Sequence, residues 1–324
     1  MFARPTGAES QLSNANSQAE LSRQPGLSAS VRRRNSVKGR GPVGTPPSRV
    51  LLFASATLLS LCYVAAGVKA ADDAIAPTGV IRPFDQQDLG AFTTWLKKTG
   101  PDDPERVFRL ENGVLRCGDE DMGYVATRQA YKDYHLSVEY RWGRRNLNDK
   151  YVRNSGVLLH GVGPDGSQGG VWMTSIECQL AQGCEGDLIL IKGQSAEGKP
   201  YPATITSNTV VAEDGKTRWQ SDGKKTVYSG KQFWWSRHQP FFKELIDTRG
   251  ENDVASPLGE WTKVECLCHG SRITIKINGT TVNECHDANP AAGKILLQSE
   301  GHEVFFRNLE LRPIADTKND SPVK

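Results

Sequence analysis

The stretch SRITIKINGTTVNEC, Ser271–Cys285, decides the fold class. Ile273, Ile275 and Ile277 alternate with polar residues. Successive side chains of a strand point to opposite faces, so the isoleucines line one face and enter a core. The run turns at Asn278-Gly279 and resumes through Val282. Asn-Gly between alternating runs is the strongest short hairpin signal, because the tightest two-residue turn needs positive φ at both positions.

Working outward, the same period recurs. In YHLSVEYRWG, Leu136, Val138, Tyr140 and Trp142 alternate with His135, Ser137, Glu139 and Arg141. NSGVLLHG, SIECQLA, DLILIKG, WTKVECLCHG, KILLQSEG and VFFRNLELRP add short strands punctuated by Gly, Asn, Asp and Pro. Many short strands with turns between them predict an all-β chain of two packed antiparallel sheets. Helical periodicity is weak, and DQQDLGAFTTWLKK is the best candidate for a short helix or a turn ahead of the sheet. The region 195–260 breaks the rhythm, being polar and glycine-rich yet carrying Trp219, Trp234, Trp235, Phe241 and Phe242. Such an excursion is expected to pack along one edge of the sandwich through Trp234, Trp235 or Phe241, with Trp234 and Trp235 also available to stack on a sugar at a cleft rim.

The N-terminus reads differently. Residues 1–49 are rich in Ser, Gly, Pro, Gln and Arg and lack apolar periodicity, which predicts a disordered basic leader. Residues 50–70 hold an apolar run, Val50 to Val68, after Arg49 and before Lys69-Ala70, and predict a secretory signal cleaved after Ala70. The expected location is therefore secreted or periplasmic, with an uncleaved membrane anchor as the alternative. One domain is expected over 77–315, followed by a flexible tail over 316–324. A net charge of +3 spread over mixed signs gives no field for nucleic acid, and none is expected as a partner. Six cysteines follow Cys62, namely Cys117, Cys178, Cys184, Cys266, Cys268 and Cys285, and are expected to be buried thiols or to form one disulfide. CLCHG and NECHD match no standard zinc spacing.

Three strands carry polar groups where a plain core strand would not. NSGVLLHG ends in His160, SIECQLA presents Glu177 and Gln179, and ILLQSEG presents Gln298 and Glu300. The partner face of each is apolar, with Ile176, Cys178 and Leu180 on one strand and Ile295 and Leu297 on another. An isolated Glu on the outer face of a sheet usually just meets water. If these strands are neighbours, however, two carboxylates, two amides and an imidazole converge on one face, a set suited to a polyhydroxylated ligand and to proton transfer.

The segments NSGVLLHG, SIECQLAQGCEGD, RGENDVASPLGEWTKVEC, INGTTVN and above all GKILLQSEGHEVFFRNLEL resemble the 3-keto-disaccharide hydrolase domain family of secreted bacterial proteins, from about Val80 to Pro313. The resemblance implies a concanavalin-A-like jelly-roll sandwich and a hydrolase or lyase acting on glycosides oxidised at C3. It implies an oligosaccharide or glycoside as partner, with Glu177, Glu300 and His160 as catalytic candidates. Gln179, Gln298, Trp234 and Trp235 become substrate-binding candidates. A divalent cation held by Glu177, His160 and Glu300 is a further possibility, although relatives carry a histidine where Glu300 stands. Arg307 and Asn308 match the family pattern and are expected to be structural. Two other readings stay open: a non-catalytic lectin-like module, since this sandwich hosts many, and an ordinary glycosidase using Glu177 and Glu300.

Overall fold

The computed structural model describes residues 73–85, 88–146, 151–195 and 197–314. The leader, the signal segment with its cleavage site and the tail over 316–324 lie outside the described residues, and no described helix is long and apolar enough to cross a membrane.

In chain order the strands are β1 (Phe92–Leu96), β2 (Phe108–Glu111), β3 (Val114–Cys117), β4 (Met122–Thr127), β5 (Tyr134–Asn146) and β6 (Gly156–Val162). Next come β7 (Thr174–Gln179), β8 (Leu188–Ile191), β9 (Thr204–Val211), β10 (Thr217–Trp219), β11 (Lys224–Tyr228) and β12 (Gln232–Phe233). The last are β13 (Thr262–His269), β14 (Arg272–Ile277), β15 (Thr280–Asn289), β16 (Lys294–Glu300) and β17 (His302–Pro313). They form two antiparallel sheets, as the alternation predicted. The seven-stranded sheet runs β1-β4-β16-β6-β7-β8-β12, and the ten-stranded sheet runs β10-β9-β15-β14-β13-β5-β17-β3-β2, with β11 also on β9. The expected all-β jelly-roll sandwich is thus the fold.

The deciding hairpin forms as read. Asn278 and Gly279 take φ of 47° and 80°, and Ile277 pairs with Thr280. Ile273, Ile275 and Ile277 of β14 are fully buried, as are Leu136 and Val138 of β5, and they meet Ile176, Cys178 and Leu180 in one core between the sheets. Each such side chain contributes about 1.5 to 3 kcal/mol on burial. Cys117, Cys178, Cys266, Cys268 and Cys285 belong to this core, and all six described cysteines are free thiols.

One expectation is corrected. Of the stretch read as a short helix or turn, Asp85 ends a 3₁₀ turn, Pro83–Asp85, and FTTWL is β1, paired with β4 from Phe92↔Thr127 to Leu96↔Gly123. Two threonines in that run favour extended backbone, and pairing with β4 overrides the weak helical spacing. The region 195–260 packs on the sandwich as expected, and does so as strands, supplying β9, β10 and β11 to one sheet and β12 to the other. Of its aromatics, Phe233 and Trp235 enter the core at 0% and 1% exposure, whereas Phe241 stands 66% exposed and anchors nothing.

Candidate functional site

The face of the seven-stranded sheet turned away from the main core is not a plain solvated face. Tyr124, Ala126, Leu158, Met173, Ile189, Ile191 and Leu296 form a second buried cluster there, covered in part by Trp95 and Trp172. The Trp95 indole N–H donates to the Gly170 carbonyl (3.1 Å), and the Tyr124 hydroxyl donates to Asp165 Oδ1 (2.7 Å), which fastens the loop between β6 and β7 over this face.

Glu177 lies on this face. Its cross-strand neighbours are Leu158 on β6 and Ile189 on β8, and it is only 4% exposed. Leu158 is in turn paired with Leu296 on β16, and Leu297 with Val157, so Gln298 falls beside Gly156 one pleat further along. Gln298 also pairs with Tyr124 and is buried. Glu300 extends the same face of β16, so the diagonal from Glu177 to Glu300 passes over Gly156. No side chain stands at that midpoint. A Cβ placed on Gly156 would come within 2.2 Å of Glu177 Oε1 and 2.6 Å of Gln298 Oε1. Both oxygens are buried and have no hydrogen-bond partner.

The electrostatics follow from burial. Desolvation lifts the Glu177 carboxyl well above the ordinary carboxylate range, and the charge of Glu300 lifts it further. The Gln298 amide and the Lys231 ammonium oppose the rise. Glu300, which keeps part of its surface, is pushed up by burial to about 7, with Lys231 again opposing. Two interacting buried carboxyls titrate as a pair. Both carboxyls are thus shifted toward their protonated forms, Glu177 being the deeper of the two. Tyr151 feels the charge of Glu300 and donates a hydrogen bond to Glu244 Oε2 (2.6 Å), while Arg153 Nε donates to Asp247 Oδ1 (2.8 Å). The segment after β12 is thereby held beside Glu300.

The structure therefore brings together Glu177, Gln298 and Glu300, and it does not bring His160 to them. His160 has φ of 58° at a β-bulge between Leu159 and Val162, which turns its ring off the face that simple alternation assigns it. The buried ring packs edge-on against Tyr134 of the main core (5.8 Å) and its Nδ1–H donates to the Pro290 carbonyl (3.1 Å). Burial lowers its pKa to about 4, so it is a neutral core histidine. A cation shared by Glu177, His160 and Glu300 does not fit these residues, because the imidazole faces the sandwich interior. Gln179 turns its Oε1 back to the N–H groups of Leu180 (3.0 Å) and Ala181 (3.3 Å), so that oxygen shapes the turn after β7.

The two tryptophans named from the sequence are also elsewhere. Trp235 is a core residue whose indole donates to the Gly183 carbonyl (3.2 Å). Trp234 is half-buried under Lys216, whose Nζ lies 5.2 Å from its ring centre. The buried Trp235 has no exposed face for stacking on a sugar. Trp95 and Trp172, which border the Glu177 face, went unnoticed in the sequence: one lay inside the supposed helix, and the other outside any alternating run. Among the described residues, Cys184, Asp187 and His238 form one group with metal-ligand spacing. Its ligand atoms are already engaged, since Asp187 accepts from the Trp235 N–H (2.7 Å) and Gln232 Nε2 (2.7 Å), and His238 Nε2 accepts from Lys216 (3.1 Å).

Comparison with known proteins places this geometry in context. No protein of curated function matches the chain. Two crystal structures of candidate glycosyl hydrolases from Parabacteroides distasonis ATCC 8503 are similar. One shares 18% identity with a TM-score of 0.43, over 73% of this chain and 94% of its own. The other shares 17% identity with a TM-score of 0.41, over 72% and 99%. The metal-free carbohydrate recognition domain of Emp46p shares 9% identity with a TM-score of 0.39, over 74% and 97%. The profile of the 3-keto-alpha-glucoside-1,2-lyase-like domain matches residues 79–312, nearly the whole of both sheets. The chain belongs to this family of carbohydrate-active domains.

Proposed function

We propose that the domain cleaves glycosides carrying a ketone at C3, by elimination followed by hydration. The observation that carries this reading is the burial of Glu177 and Glu300 on a single face, which shifts both carboxyls toward their protonated forms. A C3 ketone acidifies the C2 hydrogen. Glu300, the more readily ionised carboxyl, removes that proton as general base, and Glu177, the protonated one, delivers its proton to the departing C1 oxygen. The charge of Lys231 favours the ionised form of both carboxyls. Gln298 orients a sugar hydroxyl, and Trp95 and Trp172 at the edge of the apolar wall offer ring faces to the pyranose. An unoxidised glycoside lacks the acidic C2 hydrogen and is not a substrate. Export is part of the proposal on the strength of the apolar segment Val50 to Val68.

The test is incubation of the purified domain with a 3-keto-glucoside and its unoxidised parent, each with and without chelator. Consumption of the keto form alone is expected. Cleavage of both forms would select an ordinary two-carboxylate glycosidase, and binding without turnover a lectin.

A further inference from the structure

Asn154 opens the segment NSGVLLHG, just ahead of β6. The carbonyls of Arg153 and Ser155 accept from the N–H groups of Gln182 (3.1 Å) and Leu180 (2.9 Å). Bonds at alternate residues are the pattern of an extended strand, so Asn154 continues the alternation of Gly156 and Leu158 and shares the face of Glu177, Gln298 and Glu300. Two hydrogen bonds fix its place along that face. Ser155 Oγ donates to the Gln298 carbonyl (3.0 Å), and the Asn154 backbone N–H donates to His302 Nδ1 (3.2 Å). Gln298 and His302 flank Glu300 in the sequence, so these contacts set Asn154 beside Glu300. They engage only the backbone of Asn154. Its Oδ1 is buried without a hydrogen-bond partner, and its Nδ2 is neither buried nor bonded to another described residue. A half-buried asparagine with a structural role ordinarily bonds through its carboxamide. This one is free for a ligand.

We infer that Asn154 is a further catalytic residue, whose Nδ2 hydrogen-bonds to the enolate oxygen that forms at C3 of the sugar. This rests on the proposed elimination. When Glu300 takes the C2 hydrogen as a proton, the electron pair of that C–H bond becomes the C2=C3 bond, and the former carbonyl oxygen gains the negative charge. That oxygen lies only two bonds from C2, so a donor that meets it must stand next to the base, as Asn154 does. A carboxamide N–H is neutral and does not give up its proton, so it stabilises the oxyanion without competing with Glu177 as the acid. The electron pair on oxygen then re-forms the C3 carbonyl, the C2=C3 pair moves to C1=C2, the bond from C1 to the departing oxygen breaks, and that oxygen takes the Glu177 proton. Atoms and charge balance, with Glu300 left protonated and Glu177 ionised.

The test is Asn154→Leu, which keeps the volume and the backbone N–H that binds His302 while removing the donor. Asn154→Ala carries the test if the first variant does not fold. Turnover of a 3-keto-glucoside, the isotope effect of deuterium at its C2 and the pH dependence of kcat are measured in parent and variant. The expected result is kcat lowered by about 10² to 10³-fold, the usual loss for one oxyanion donor, with KM within a few fold of the parent. The C2 isotope effect should be at least as large as in the parent, and the kcat midpoint that reports Glu300 should stay in place. An unchanged kcat overturns the inference. So does a loss of kcat accompanied by a displaced midpoint, because Asn154 would then act on Glu300 and not on the sugar, and so does a smaller isotope effect, which would put the loss in another step. A parent that consumes no 3-keto-glucoside removes the elimination reading and the inference with it, whereas an active parent with an equally active Asn154→Leu removes the inference alone.

Discussion

The two sheets present outer faces that look alike in sequence and differ in charge compensation. On the ten-stranded sheet the outward carboxylates lie beside cations. Glu139 accepts from Arg307 (2.6 Å), Glu265 meets Lys263 (3.0 Å) and His135 (3.2 Å), and Glu303 pairs with Arg116 (2.8 Å). Arg141 and Arg307 stack on Trp261 at 4.9 and 4.0 Å, closing a ladder of compensated charge. The expectation that Arg307 is structural holds in this pairing. On the seven-stranded sheet Glu177 is buried against Leu158 and Ile189, and one of its oxygens has no partner. A strand position with a carboxylate is therefore ambiguous until its neighbours are known. A compensated carboxylate is structure; a buried, uncompensated one is held ready for a ligand or a proton.

The largest effect that can break this comparison is on turnover. Glu177→Gln should lower the rate on a 3-keto-glucoside by about 10² to 10⁴-fold, with the denaturant midpoint little changed, while Glu139→Gln on the compensated face leaves the rate alone. Equal rates for parent and Glu177→Gln would make Glu177 only another strand residue.

Much of the fold was legible because it depends on local alternation. The isoleucines of β14 and the Asn278-Gly279 turn need no distant partner to be read. The pairing of Glu177 with Gln298 was legible too, since both stand opposite apolar alternates. What could not be read was whatever depends on contacts far along the chain. Glu177 stands between Leu158 on β6 and Ile189 on β8, neighbours that only the strand order reveals. The reversal of His160 arises from a bulge, and a one-residue irregularity sends a side chain to the other face. Trp234 and Trp235 are adjacent and similar in composition, yet only the second enters the core. Gly156 carried no signal beyond being small.

Next in size are effects on stability at residues removed from the site. Trp235→Ala should cost about 3 to 5 kcal/mol, read as a lowered denaturant midpoint, and leave sugar affinity of the folded fraction unchanged. A selective loss of affinity would return Trp235 to the site. His160→Asn, which tolerates the left-handed backbone, should cost about 1 to 3 kcal/mol and leave kcat/KM near the parent value. A collapse of kcat/KM in stable protein would make the imidazole part of the chemistry. The smallest effect is on pH-dependent stability. Glu300 folds with its pKa raised from the ordinary 4.5 to about 7, so its favourable contribution is complete below about 4.5 and is lost as pH rises through 7. Melting temperature should fall by a few degrees over that window, and less so in Glu300→Gln.

The central claim is that Glu177 and Glu300 form a buried pair retaining a proton at neutral pH. The direct measurement is a titration of the glutamate side-chain carboxyls by ¹³C NMR, in the parent, Glu177→Gln and Glu300→Gln. The account predicts one carboxyl in the parent still protonated at pH 7 and missing in Glu177→Gln, and a second titrating near 7 that is missing in Glu300→Gln. A parent in which every glutamate has finished titrating by about pH 5.5, near the usual carboxylate range, would contradict it.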